Sequence, residues 1–129
     1  MDNDVYVESM PFAKACGVEI ESATKEEVRG GLAWAPDRCT TGGGLHGGIV
    51  MALADSLGAV CAFLNLPPGA GTSTIESKTN FFRGVREGRV SAVSTPLHVG
   101  RTTIVLQTDV RDEQDRRVAL VTQTQMVFQ

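Results

Sequence analysis

The sequence predicts an α+β fold in which one curved antiparallel sheet wraps a single central helix. Three observations carry this. Residues 49–64 are hydrophobic at thirteen of sixteen positions, rich in the helix formers Ala, Leu and Met, and apolar on every side, which implies burial on every side. Four long segments, 72–82, 89–99, 102–111 and 117–128, are rich in Val, Thr and Ile. The connections between them (84–88, 100–101 and 112–115) are short, which points to antiparallel hairpins rather than βαβ crossovers. A flat sheet covers only one side of such a helix, so the sheet must curl around it.

The elements follow in order. Residues 5–16 read as a short helix or irregular arm ending at Gly17, with Pro11 in its middle. Residues 18–23 and 28–34 alternate apolar and polar, as half-buried strands joined by the turn Thr24-Lys25-Glu26-Glu27. The run Thr41-Gly42-Gly43-Gly44-Leu45-His46-Gly47-Gly48 suits no regular element and precedes the helix. A plain loop, 65–71, leads to the four long strands. Pro96 lies inside the second of them and marks an edge position or a bulge.

The 129 residues suit one domain over 1–129, without repeat or linker. A net charge of −3 with no basic run excludes nucleic-acid binding by bulk charge, though a small basic pocket for one phosphorylated ligand remains compatible. Cys16, Cys39 and Cys61 are odd in number and form no CxxC pair, so neither a disulfide framework nor a thiolate zinc site is expected. His46 and His98 have no partner at metal-ligand spacing, and no metal is expected. The start, Met1-Asp2-Asn3-Asp4, is acidic where a signal peptide is basic. The 49–64 stretch, interrupted by Asp55 and Ser56, is short for a membrane span, so the expectation is a cytoplasmic protein with no membrane association.

Two places invite chemistry. Gly42-x-Gly44-x-x-Gly47 matches GxGxxG formally, but a dinucleotide site needs a parallel βαβ unit that the hairpins deny, and no Lys-Ser/Thr follows for a P-loop. The loop nevertheless opens a helix, whose first amides lack acceptors and whose dipole leaves that end partly positive. Glycines let a ligand approach the backbone, and an oxygen gaining negative charge is stabilised there. The alternative is a loop whose glycines only make a tight turn. Asp55 is the second place, as the only ionised residue between His46 and Leu64. An unpaired buried carboxylate costs several kcal/mol or takes up a proton, so Asp55 faces a partner or a cavity. A satisfied hydrogen-bond network or an exposed stripe is the alternative. Ser56 nearly matches a nucleophile elbow but sits mid-helix, and nothing activates Cys39 as a nucleophile toward His46.

The run from Leu45 through His46, Gly47 and Gly48 to Asp55 resembles the helix-start motif of hotdog-fold acyl-CoA thioesterases. It is similar to their 4-hydroxybenzoyl-CoA and phenylacetate-pathway branch. Thr79-Asn80-Phe81-Phe82-Arg83, Glu87-Gly88 and Gly100-Arg101-Thr102-Thr103 resemble the same branch, and the likeness runs from about Met10 to Phe128. It implies hydrolysis of an acyl-CoA thioester with an aromatic acyl group, with no cofactor because coenzyme A belongs to the substrate. By the resemblance, the Gly47 amide polarises the carbonyl and Asp55 is nucleophile or general base. His46, Gly48, Thr74, Arg83, Arg101 and Thr102 fall among substrate and coenzyme A contacts. Arg83 and Thr102, with Arg101, lie toward the nucleotide or phosphates, and Thr74 near a water-positioning hydroxyl. Two departures stand out. Thr40, six residues before His46, replaces the usual Asn or Gln, and Ala59, one turn after Asp55, replaces a Thr of some relatives.

Geometry adds a consequence. Eight residues of one helix separate Gly47 from Asp55 by about 12 Å, whereas donor and attacking group must each stand about 3 Å from one reacting group. Two antiparallel copies can supply both, so a homodimer is expected, and the resemblance makes it a dimer of dimers. Two rival readings are a hotdog dehydratase or hydratase and a non-catalytic acyl-CoA-binding module.

Overall fold

The computed structural model describes residues 3–129, so Met1 and Asp2 of the acidic start lie outside the described residues. Two short helices open the chain, α1 (Asp4–Glu8) and α2 (Pro11–Cys16), followed by β1 (Glu19–Ala23), β2 (Val28–Ala33) and a 3-10 turn (Pro36–Arg38). The long helix α3 (Gly47–Leu64) comes next, then β3 (Gly71–Phe81), β4 (Arg89–Val99), β5 (Thr103–Arg111) and β6 (Arg117–Phe128). The six strands form one antiparallel sheet curled on α3, the hotdog fold.

The arm expected over 5–16 is two helices. Pro11 opens the second, where its missing N–H has no intrahelical acceptor to lose, and Gly17 closes it in the left-handed region at φ 83°. The long helix starts two residues before its apolar run because His46 caps it, Nδ1 accepting the Gly48 N–H at 2.8 Å.

The sheet order is β1-β2-β4-β5-β6-β3. Strands β4, β5 and β6 are successive hairpins as the short turns imply, but β3 is not hairpinned to β4: it pairs with β6 at the sheet edge. Loop length misled here. Seven residues reach about 23 Å, and three strand spacings need only about 14 Å, so the 82–88 segment can pass across the end of the sheet. It is pinned there by Phe82 N–H to Val118 O (2.8 Å), Leu45 N–H to Val85 O (2.8 Å) and Trp34 N–H to Gly88 O (2.7 Å). Pro96 lies on an interior strand beside a register shift between Pro96 and His98, so the bulge, not the edge, accommodates it.

The core sets Leu53, Leu57 and Cys61 of α3 against Val28, Leu32, Val90, Ile104, Leu106, Val110 and Ala119 of the strands. Truncating such a Leu to Ala typically costs about 2–5 kcal/mol. This packing accounts for a helix that is long and apolar enough, by length and composition, to cross a membrane. The expectation of cover on every side needs correction. Gly48, Met51, Asp55 and Phe63 form an exposed stripe, because the sheet curls around α3 without closing. Next to that opening β3 runs as a long edge strand, exposed along most of its length.

Candidate active site

The start of α3 is arranged around one unengaged amide. The His46 carbonyl accepts the Ile49 and Val50 N–H groups at 2.9 and 3.3 Å, and its ring Nδ1 accepts from Gly48. Gly47 N–H meets no acceptor among the described residues. The cap uses the Nδ1 lone pair, so the ring that makes it carries its proton on Nε2. Phe81, at the end of β3, lies over Gly47. Beside this amide a recess of about 380 Å³ is lined by Phe12, Cys16, Cys39, His46, Gly48 and Ile49, with Asp37 and Arg38 also on its wall. Cys39 Sγ is directed at the carbonyls of Ala35 (3.3 Å) and Gly43 (3.5 Å), in keeping with an inert thiol.

Asp55 lies two turns further along α3, on the exposed stripe and inside a hydrogen-bond network. Gln123 Nε2 donates to its Oδ1 at 3.1 Å, and the Thr74 hydroxyl makes a longer contact to the same oxygen at 3.4 Å. Behind Thr74, Gln125 Nε2 donates to Thr74 Oγ1 at 2.7 Å, and Thr72 Oγ1 donates to Gln125 Oε1 at 3.0 Å. The residue is open to solvent on one side, while the helix and the strands behind it strip part of the carboxylate's hydration. That desolvation raises its pKa above the ordinary carboxylate value, and the Thr74 bond opposes the rise. Ser56, beside it, is buried and bonds back to Ala52 O at 2.7 Å, which excludes it as a nucleophile.

Sequence reasoning missed Gln123 and Gln125. Both are 1% exposed, on the face of β6 that points at α3 together with Ala119, Val121 and Val127. Their signal was available: two amides at alternate positions, in phase with the apolar residues of a strand whose inner face should be oily. Thr74 comes beside them because β3 shifts register between Thr74 and Glu76.

The remaining site residues are not gathered in one chain. Arg83 is exposed in the 82–88 segment, its N–H beside Val118 O, and Arg101 and Thr102 are exposed on the β4–β5 turn, with Thr102 O accepting from Val127. Nine residues of β6 separate those two points, about 30 Å along the strand. Thr40 closes the glycine turn with Gly44, and Ala59 faces the N-terminal arm in a recess with Tyr6, Ser9 and Met10. Among the described residues, no three His, Cys, Asp or Glu side chains are grouped to hold a metal ion.

The family described as the Thioesterase superfamily matches residues 42–119. The 1,4-dihydroxy-2-naphthoyl-CoA hydrolase of Escherichia coli strain K12 is 39% identical over 72 residues, 56% of this chain and 53% of its own length. The chain spans about half the length of several curated relatives it matches (52–56%). Among solved structures, a thioesterase of Haemophilus influenzae superposes with a TM-score of 0.89 at 28% identity, over 98% of this chain and 87% of that one. A mutant thioesterase of Pseudomonas aeruginosa gives 0.92 at 26% identity, over 98% and 94%.

Proposed function

Because the chain belongs to the thioesterase superfamily, we propose that it hydrolyses acyl-CoA thioesters, preferring an aromatic acyl group, at sites shared between the subunits of a homodimer. The observation that carries this is the state of α3. One rigid helix holds an unengaged amide at Gly47 and an uncovered carboxylate at Asp55, about 12 Å apart, so each is half of a site.

In the dimer, Gly47 of one protomer faces Asp55 of the partner subunit across the thioester carbonyl. The Gly47 N–H and the helix N-terminus stabilise the oxyanion. Asp55 either attacks the carbonyl carbon or takes the proton of an attacking water. If Asp55 attacks, the C–S bond breaks to give the coenzyme A thiolate and an acyl-aspartyl anhydride, which water then hydrolyses to the acid. If Asp55 acts as base, water adds, the C–S bond breaks, and the proton Asp55 took passes to the departing sulfur. The recess beside Gly47, apolar on Phe12, Cys16 and Ile49, suits an acyl group.

Surface chemistry supports the assembly. Ile75, Phe81, Phe82, Met126 and Phe128 are exposed on and around β3 and its neighbour β6, beside Met51 and Phe63 of the bare helix stripe. A long, exposed edge strand leaves backbone N–H and C=O groups unpaired, and with Ile75 and Phe81 on it, it invites pairing with a second copy. Antiparallel pairing carries Arg83 of one protomer to the partner's opposite sheet end, where Arg101 and Thr102 stand, and so assembles a site for the phosphates of coenzyme A. Two such dimers pair into a tetramer.

A thiol-release screen across aromatic, short, medium and long acyl-CoAs, run with sedimentation velocity, tests the reading. Turnover highest on aromatic substrates by a dimeric or larger species is expected. Tight binding of intact acyl-CoA without thiol release would instead mark a binding module. Hydration of an enoyl-CoA without free thiol would mark a hydratase, for which His46 is poorly placed because its Nδ1 serves the helix cap.

A further inference from the structure

The inner face of β6 carries two buried amides that packing alone does not explain. Gln123 Oε1 is buried without a hydrogen-bond partner, over Gly58, where any Cβ would overlap it. A buried amide left half satisfied is less favourable than a hydrocarbon of the same shape. What Gln123 does that Met could not is donate to Asp55, through Nε2 to Oδ1 at 3.1 Å and, at a longer 3.5 Å, to the Asp55 backbone carbonyl.

The direction of every bond in the network follows from the carboxylate. An ionised Asp55 only accepts, so Gln123 presents its nitrogen and turns its carbonyl to Gly58. The Thr74 hydroxyl must also donate to Oδ1, which leaves its lone pairs to accept from Gln125 Nε2. Gln125 Oε1 then faces Thr72, which donates to it. Thr74 from β3 and Gln123 from β6 are the side chains bonded to Asp55 among the described residues, and the ionisable residues of β3, Glu76 and Lys78, make no ion pair with it.

We propose that Gln123 and Gln125 are positioning residues that anchor Asp55 by Oδ1, Gln123 directly and Gln125 through Thr74, and so reserve Oδ2 as the oxygen that meets the thioester or the attacking water. The functional half of this rests on the thioesterase reading of Asp55, while the anchoring half does not. Two donors on one oxygen restrain the carboxylate plane and lower the basicity of that oxygen, so a proton or a new bond forms preferentially at the other. Chained hydrogen bonds polarise one another, so removing the far member weakens the near one.

The test is the carboxyl ¹³C titration of Asp55 in the full chain, assigned with Asp55→Asn, for wild type, Gln123→Met and Gln125→Met. Met is apolar and close in volume, so both variants keep the core filled. Loss of a donor raises the midpoint, by about half a unit or more for Gln123→Met and by less for Gln125→Met, which touches Asp55 only through Thr74. An unmoved midpoint in either variant overturns the proposal. In kinetics, kcat falls while KM holds, and the acid limb of the rate profile moves with the titration. A titration that moves while thiol release does not would retain the anchoring and reject Asp55 as the reacting group.

Discussion

The ring of Phe81 closes over Gly47 so nearly that a Cβ placed on Gly47 would stand 3.2 Å from Phe81 Cζ. The ring thus stands against the Cα of the residue that carries the free amide. Gly47→Ala puts a methyl between that Cα and the ring. Ala is favoured over Gly in a helix by about 1 kcal/mol, and the half-exposed ring can tilt by a few tenths of an ångström, so the melting temperature should change little. Thiol release should fall by about 10²-fold, because the carbonyl can no longer seat against the amide. Steady-state kinetics beside thermal unfolding separates the two effects, and unchanged turnover removes Gly47 from the oxyanion role.

Asp55→Asn should abolish most activity, on the order of 10²-fold or more, while stabilising the protein at neutral pH. The sign follows from the direction of the shift. Desolvation raises the folded-state pKa of Asp55 above its unfolded value, so between the two the folded state binds the extra proton. Stability from this group is therefore full below the unfolded value of about 4 and is lost as pH rises through the folded value. The melting-temperature gap between variant and wild type should be widest near neutrality and shrink in acid. A gap that grows on acidification contradicts the burial of the charge. The same shift places the acid limb of wild-type turnover above the ordinary carboxylate range.

These two groups also mark how far the sequence could be read. The helix, the strand-forming segments and their boundaries within two residues were legible, because periodicity, Val/Thr/Ile content and turn residues are local properties. Asp55 announced itself as a charge inside an oily run. The pairing of β3 with β6 was not legible, since a seven-residue segment fits a hairpin and a crossing over the sheet end equally well. The bare stripe on α3 escaped for a related reason: apolarity tells that a surface is covered, not whether the same chain or another does the covering. Gln123 and Gln125 were readable in principle from their phase on β6, but what they bond to depends on the strand lying opposite Asp55.

Arg83 stands in solvent at the end of the sheet nearest the start of α3, and its side chain forms no ion pair or hydrogen bond among the described residues. Its charge is therefore available to a phosphate. Arg83→Ala should raise KM for an acyl-CoA about tenfold while hardly changing KM for the matching pantetheine thioester, which lacks the nucleotide. Equal effects on both substrates would count against a nucleotide contact. Stability should move by less than about 0.5 kcal/mol, as for other exposed charges.

Whether the two halves of the site meet across subunits can be decided by mixing inactive chains. In a heterodimer of Gly47→Ala with Asp55→Asn, one site pairs the two altered residues and is dead. The other pairs an unaltered Gly47 with an unaltered Asp55 and is wild type. Random reassortment of equal amounts makes half the dimers mixed, so activity should recover to about a quarter of the wild-type level per subunit. The two variants assayed separately, or mixed without exchange of subunits, should show none of this recovery. If Gly47 and Asp55 served one site within one chain, every chain in the mixture would carry a defect and reassortment could restore nothing.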